Sequence, residues 1–383
     1  MISARDRILI LAPHPDDESL GAGGLILRAV RASAVVRVIF ATDGDDNAWA
    51  QRFVERRVKI TQPDRARWGR RRREEALAAI VQLGLPKSSA EFLALPDQQL
   101  TSLLLRADES LVRSLAQRIA RFAPTLLVVP SHADTHPDHS ALFVLTQLAL
   151  SRLDRPPRQL TYLVHFPRRH AEKTGLLLHL RGSDIALKRK AILCHKTQTT
   201  LGKKRFLSYA KRDELFYTAS AWSADERSHP VCACSMENGA LIFKVNLPRR
   251  SAGFPDATLL VALESLSEGS VRWALPLPAS SSCVRIKNLV TGQLLRRATV
   301  RIAKGWARIA LPVAASQPFG KLFVKLQRRT LFFDAAGWLE IPVQRAAAPL
   351  FGGPEKVEAG RRNDILRTWK SLQARPRAGA KHG

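Results

Sequence analysis

The sequence predicts an α/β domain with a Rossmann-like, mostly parallel sheet and helices on both faces, followed by a smaller all-β, sandwich-like domain. Three observations carry this. Short apolar runs end in polar loops and give way to helical spacing, repeatedly, through the first half of the chain. After about residue 235 helical spacing stops and short alternating segments take over. The length of 383 residues, 45% hydrophobic and 25% charged, suits two domains, each able to bury a core.

Residues 7–12 (RILILA) suit a strand buried on both faces. A turn, Pro13-His14-Pro15-Asp16-Asp17-Glu18, leads into SLGAGGLILRAVRA, where Leu20, Leu25, Ile26 and Val30 share one helical side. A second strand, 35–42, ends in Asp43-Gly44, and a polar, Arg-rich stretch follows. The next helix, RRREEALAAIVQLGL, is closed by Gly84 and Pro86. Residues 110–122 read as helix, 125–131 as an apolar strand ending in SHADTHPDH, 140–152 as helix and 160–166 as strand. Beyond the linker come ALIFKVNL, TLLVALESL, SVRWALPL, CVRIKNL, TVRIAKGWARIAL, KLFVKLQRRTLFF and WLEIPV, separated mostly by Gly, Pro, Ser or Asn. The expected domains are 1–230 and 238–345, with 346–383 a basic tail holding one helix.

Lys and Arg total 61 against 33 Asp and Glu, a formal net charge of +28. Such an excess suits an anionic partner. The chain shows no nucleic-acid-binding module and its aromatic content is 7%, so no nucleic acid is expected. Four cysteines make no disulfide framework, and a cytoplasmic protein is expected. No signal peptide and no uninterrupted apolar stretch of about 18 residues is found, which leaves peripheral contact with an anionic membrane surface as the open form of membrane association. Oligomeric state has no signature.

The chemistry concentrates at two strand ends. His132, His136 and His139 lie within eight residues, and His14 sits beside an aspartate pair. In a parallel sheet both loops fall on the carboxyl edge, where such folds bind ligands, so they can be neighbours in space. Imidazole and carboxylate together suit a divalent metal, zinc above all, and three protein ligands would leave a position for catalysis. Either loop alone reads as an ordinary turn or cap; the pair reads as a site.

APHPDDESLGAGG followed by HPDH resembles the PIG-L/LmbE-like family of zinc-dependent N-deacetylases. Thr42-Asp43-Gly44, then Arg72, Glu75, Ala79 and Leu83-Gly84, then Lys188, Ala191, His195 and Thr197-Gln198 extend the likeness over about residues 5–220. Pro13 stands where the family usually has Ala, and Thr197 where Ser is commoner. The resemblance implies one zinc ion per chain, with His14, Asp17 and His139 matching its ligands. Asp16 matches the general base, which would later hand its proton to the departing amine. His136 matches the oxyanion-stabilising side chain, where a protonated imidazole would be apt. Asp138 is a candidate to orient a ligand histidine. Arg72 would reach substrate or brace the pocket, Asp43 would bind a sugar hydroxyl or cap a helix, and His195 and Gln198 would hold a late helix against the active-site loops. The run of four carboxylate-flanked glycine-loop residues, Gly21-Ala22-Gly23-Gly24, lacks a dinucleotide register. The implied activity is removal of acetyl from an N-acetylated amino sugar, a lipid- or nucleotide-linked conjugate in envelope polysaccharide synthesis. The alternatives are a non-catalytic carbohydrate-binding protein and a metal-dependent amidase or esterase acting on a non-sugar molecule.

Overall fold

The structure is a computed structural model describing residues 2–165, 175–218, 229–247, 257–265, 269–292, 294–303, 305–313, 319–330 and 333–341. The expected tail, 346–383, lies outside the described residues.

The N-terminal half builds a sheet from β1 (Arg7–Ala12), β2 (Val35–Thr42), β3 (Ala90–Leu95), β4 (Leu126–Pro130), β5 (Arg158–Tyr162), β6 (Leu176–His179) and β7 (Asp213–Thr218). Its order is β3-β2-β1-β4-β5-β7-β6. β1 to β5 pair in parallel, and β7 pairs antiparallel with both β5 and β6, so six of the seven strands point one way. Alternation along β1 shows why both faces are covered. Ile8, Ile10 and Ala12 enter one core with α1 (Asp17–Arg31), α3 (Gln62–Gln82) and α7 (Gly182–Cys194). Leu9 and Leu11 enter the other, with α4 (Leu100–Leu105), α5 (Glu109–Phe122) and α6 (Pro137–Leu150). The short helix α2 (Ala48–Glu55) and α8 (Lys196–Leu207) lie over the carboxyl edge and line its cavity. The glycine run in α1 is there for packing: a Cβ on Gly21 would sit 2.2 Å from the Tyr162 ring.

The C-terminal half is one antiparallel sheet of nine strands: β8 (Val231–Glu237), β9 (Ala240–Asn246), β10 (Thr258–Ser265), β11 (Gly269–Pro276), β12 (Ser282–Asn288), β13 (Leu294–Ala303), β14 (Trp306–Pro312), β15 (Phe319–Gln327) and, past a short ribbon of β16 (Arg329–Thr330) and β17 (Phe333–Asp334), β18 (Leu339–Ile341). Val231 on one edge strand and Ile341 on the other share a core with Ile286 and Val300 from the middle, so the sheet curls on itself. The segment 299–311, which reads as continuous alternation, is a hairpin turning at Gly305, whose φ is +84°.

The two halves share a core. Leu259, Val261 and Leu263 of β10 face the β domain, whereas Leu260 and Ala262 face α4 and α6, joined by Phe323 and Trp338. Arg272, buried, donates through Nε to the Leu104 carbonyl at 3.1 Å. All of α6 is consequently buried. A helix apolar all round needs cover on every side, and here a parallel sheet and an antiparallel one supply it.

Candidate metal and catalytic centre

Adjacent parallel strands β1 and β4 end side by side, and the two loops of interest leave from those ends. The β1–α1 turn carries His14 and Asp16, and the first turn of α1 carries Asp17. The loop after β4 runs through Asp134 to His136, which caps α6, and His139 lies on that helix's first turn.

These residues converge. Asp17 Oδ2 is 3.2 Å from His14 Nδ1 and 3.2 Å from His139 Nε2. Ligand atoms bound at about 2.0–2.1 Å around a tetrahedral ion lie about 3.3 Å apart, so the spacing is that of a ligand set. His139 is fully buried, and its Nε2 faces the Asp17 carboxylate, an arrangement a cation between them would satisfy. Nitrogens of His14, His136 and His139 also lie within 4.8 Å of one another. The donor set therefore fits a divalent metal.

Supporting carboxylates surround the cluster. His14 Nε2 lies 3.2 Å from Asp97 Oδ1 and 3.4 Å from Asp138 Oδ2. Asp138 also accepts from the Gln98 and Leu100 amides at 2.7 and 3.1 Å, so it ties the loop after β3 to α6. His139 Nδ1 is 3.1 Å from Asp134 Oδ2. Burial works against charge on both histidines, yet the carboxylates outweigh it: His14 is raised well above the usual histidine range and His139 to about 10. Asp17 is held well below the carboxylate range, the two histidines overcoming its burial. The pocket thus demands positive charge, and a metal would take it by displacing protons.

Asp16 is buried at the cavity wall and accepts from Arg72 Nη2 at 3.0 Å. Burial pushes it up to about 6, against the pull of Arg72. Arg72 also donates to the Gly44 and Pro15 carbonyls at 2.8 and 3.0 Å, which locks the Asp16 turn. Arg72 therefore braces the pocket while lining it. A Cβ at Gly44 (φ +61°) would meet Arg72 Nη1 at 1.8 Å, which explains a glycine there.

Two residues have surroundings that differ from those expected. Asp43, expected at a sugar hydroxyl or as a cap, instead holds a bidentate pair with Arg73 at 2.6 Å and lies outside the cavity lining. His136, expected protonated, is pushed well below the histidine range by burial and by His14, His139 and His165. Its Nδ1 accepts the Asp138 amide at 3.2 Å, which leaves the proton on Nε2. A neutral N–H donor results.

Of the late residues, His195 Nε2 meets Glu18 at 3.0 Å, Thr197 Oγ1 donates to Glu75 at 2.6 Å, and Gln198 reaches the cavity. In the Arg-rich stretch, Arg65, Arg67, Arg72 and Arg73 all pair with carboxylates of their own domain. Sequence reading missed Asp97, Asp134 and His165. Asp134 sits in SHADTHPDH and Asp97 just after the apolar run FLAL, so a carboxylate at a strand's end was the available signal.

The cavity, about 510 Å³, opens beside Trp49 and Leu201 and is floored by His14, Asp16 and Asp17. A histidine–aspartate cluster with a buried carboxylate beside it, at the carboxyl edge of a parallel sheet, is the equipment of a metal-assisted hydrolase. Comparison with known proteins finds a family match over part of the chain. Residues 9–150 match the family model described as "PIG-L: GlcNAc-PI de-N-acetylase", and the chain carries a PIG-L family domain. The "Probable N-acetyl-alpha-D-glucosaminyl L-malate deacetylase 2" of Bacillus subtilis (strain 168) is 29% identical over 202 residues, 51% of this chain and 84% of that protein. Among solved structures, the N,N'-diacetylchitobiose deacetylase of Pyrococcus horikoshii is 20% identical, with a TM-score of 0.41 over 55% of this chain and 83% of its own. The 4-carboxy-2-hydroxymuconate hydratase of Pseudomonas putida KT2440 is 22% identical, with a TM-score of 0.43 over 54% of this chain and 82% of its own.

Proposed function

We propose that this protein is a zinc-dependent hydrolase that removes acetyl from an N-acetylated amino sugar. Residues 1–230 are read as the deacetylase domain, with 238–345 an accessory domain. The observation that carries the reading is Asp16, a buried carboxylate set against Arg72 at the rim of the His14/Asp17/His139 ligand cluster.

His14, Asp17 and His139 would hold the ion. A divalent metal there supplies the Lewis acidity that makes water a usable nucleophile near neutral pH. Asp16, with its carboxyl poised near neutrality by burial, takes the proton from the attacking water and returns it to the leaving amine. The Nε2–H of His136 donates to the carbonyl oxygen as negative charge develops on it. Asp97, Asp138 and Asp134 hold the ligand histidines in orientation. Arg72 keeps the Asp16 turn fixed.

The substrate is read as a lipid- or nucleotide-linked conjugate of an envelope polysaccharide pathway, and the protein as cytoplasmic with peripheral contact to an anionic leaflet. Support comes from the segment beside the cavity, where Trp49, which lines it, is 67% exposed, and Phe53 and Val58 further along are 59% and 92% exposed. Exposed Arg52, Arg56 and Lys59 lie in the same segment, on a chain of net charge +28. Exposed aromatics interspersed with cations along one segment suit an acidic lipid surface. Among the described residues no helix is long and apolar enough to cross a membrane.

The test is acetate release by the zinc-loaded protein from free, nucleotide-linked and lipid-linked N-acetylhexosamines. Release from one class supports the reading; release only from non-sugar amides or esters, or from none, overturns it.

A further inference from the structure

We infer that the C-terminal domain completes the active site, with Phe333 a specificity-determining wall for the acyl group of the substrate. The inference rests on the deacetylase reading above. The family match ends at residue 150, so it assigns nothing to this segment.

The placement is built rather than incidental. The ribbon of β16 and β17 leaves the end of β15 and reaches the loop that carries His136. The Asp334 amide donates to the Thr135 carbonyl at 2.9 Å, and the Trp338 amide to the His132 carbonyl at 2.7 Å. Two backbone hydrogen bonds therefore splice the β domain onto the catalytic loop. Lys325 on β15 meets Asp334 at 2.5 Å, both side chains fully buried. Trp338, also buried, anchors the segment in the core shared with α6. A Cβ on Gly337 would fall 1.9 Å from the His132 carbonyl oxygen, so the approach is as close as glycine alone permits.

These anchors leave the Phe333 ring facing the site. It lies 5.2 Å from the His165 ring and 5.9 Å, edge-on, from the His136 ring, centroid to centroid. It lines the same cavity as Asp16 and Arg72. His136 Nε2 is the donor assigned to the carbonyl oxygen, so a carbonyl bound there places its substituents near this ring. The ring is apolar and fixed from behind, and it sets the room available to the acyl chain. An acetyl methyl gains apolar contact; a longer chain meets a wall.

The test uses the full-length, zinc-loaded protein with N-acetyl- and N-butyrylglucosamine, each in the best conjugate found above. Phe333→Ala should shift the ratio of kcat/KM toward the butyryl substrate at least tenfold, slowing the acetyl reaction and speeding the butyryl one. Phe333→Leu should fall between the two. Metal content and thermal midpoint, measured alongside, should stay at wild-type values. An equal loss on both substrates, or no change on either, overturns the wall and leaves the deacetylase reading standing. If wild-type protein turns over neither substrate, that reading falls instead. Saturation-transfer NMR on N-acetylglucosamine then decides the wall: acetyl-methyl saturation by wild type and its loss in Phe333→Ala support it. Equal saturation by both proteins, or none by wild type, overturns it.

Discussion

Replacing Asp134 with asparagine isolates the most heavily used carboxylate of the site. Its Oδ1 accepts the His136 amide at 2.9 Å, and its Oδ2 accepts the Val164 and His165 amides at 3.0 Å each. Oδ2 also lies 3.1 Å from His139 Nδ1, and the side chain is fully buried. Every partner is a donor, so a carboxamide must turn its NH2 group toward at least one of them. One buried donor left unsatisfied costs about 1–3 kcal/mol. The surviving bonds also lose their charge assistance, which roughly halves their strength. Together the substitution should destabilise by about 2–4 kcal/mol, although side-chain volume is unchanged. His139 loses its orienting charge as well, so zinc affinity should fall about 10–100-fold. Urea unfolding followed by tryptophan fluorescence reads the first effect, and competition with a chromogenic chelator the second. An unchanged urea midpoint together with unchanged zinc affinity would refute the role given to Asp134.

Other expectations follow from the same contacts. Asp16→Asn should retain zinc and lose about 10²–10⁴-fold in turnover, read as acetate release at saturating substrate; near-wild-type release would remove the base from the mechanism. His14→Ala should lose both metal and turnover, checked by metal analysis of the purified protein. Trp338→Ala should lower stability by about 3–5 kcal/mol, since the indole fills the shared core, and a loss under about 1 kcal/mol would mean that the halves do not depend on it. His132 is pushed down to about 3, by burial first and by His229. Between that value and the unfolded value near 6.5 the unfolded chain binds a proton that the folded chain does not. Stability should therefore fall on acidification through this window, by about 1.4 kcal/mol per pH unit. His132→Leu should flatten the slope of urea stability against pH by that amount, and parallel curves for the two proteins would contradict the assignment.

How much of this was legible in the sequence follows from the range over which each signal acts. RILILA and TLLVVPS are local signals: unbroken apolar runs have no polar face to expose, so β1 and β4 and the loops at their ends could be read directly. That the His14/Asp17 and His136/His139 loops meet was legible because two metal-type clusters sat at equivalent strand ends; the choice of His14, Asp17 and His139 as ligands came only from the family resemblance. Asp97 and Asp134 were not legible, because a lone aspartate after a strand looks like a turn until the strand order sets β4 directly beside β1 and β3 one strand beyond, across β2. The protonation of His136 was misjudged for a related reason. Its neighbours in sequence are acidic, whereas its neighbours in space include three other histidines. Contact between the halves carried a signal that went unread: LFVLTQLAL in α6 has no solvent face, so something beyond the parallel sheet had to cover it. Removing the β domain would therefore strip the shared core from α6 along with Phe333.

Anomalous diffraction at the zinc edge, from crystals of the full-length protein grown with one equivalent of zinc, tests the ligand assignment most directly. The account predicts a single peak within about 2.0–2.2 Å of His14 Nδ1, Asp17 Oδ2 and His139 Nε2. A peak among Asp134, His139 and His165, one among His14, Asp97 and Asp138, or none at all would contradict it.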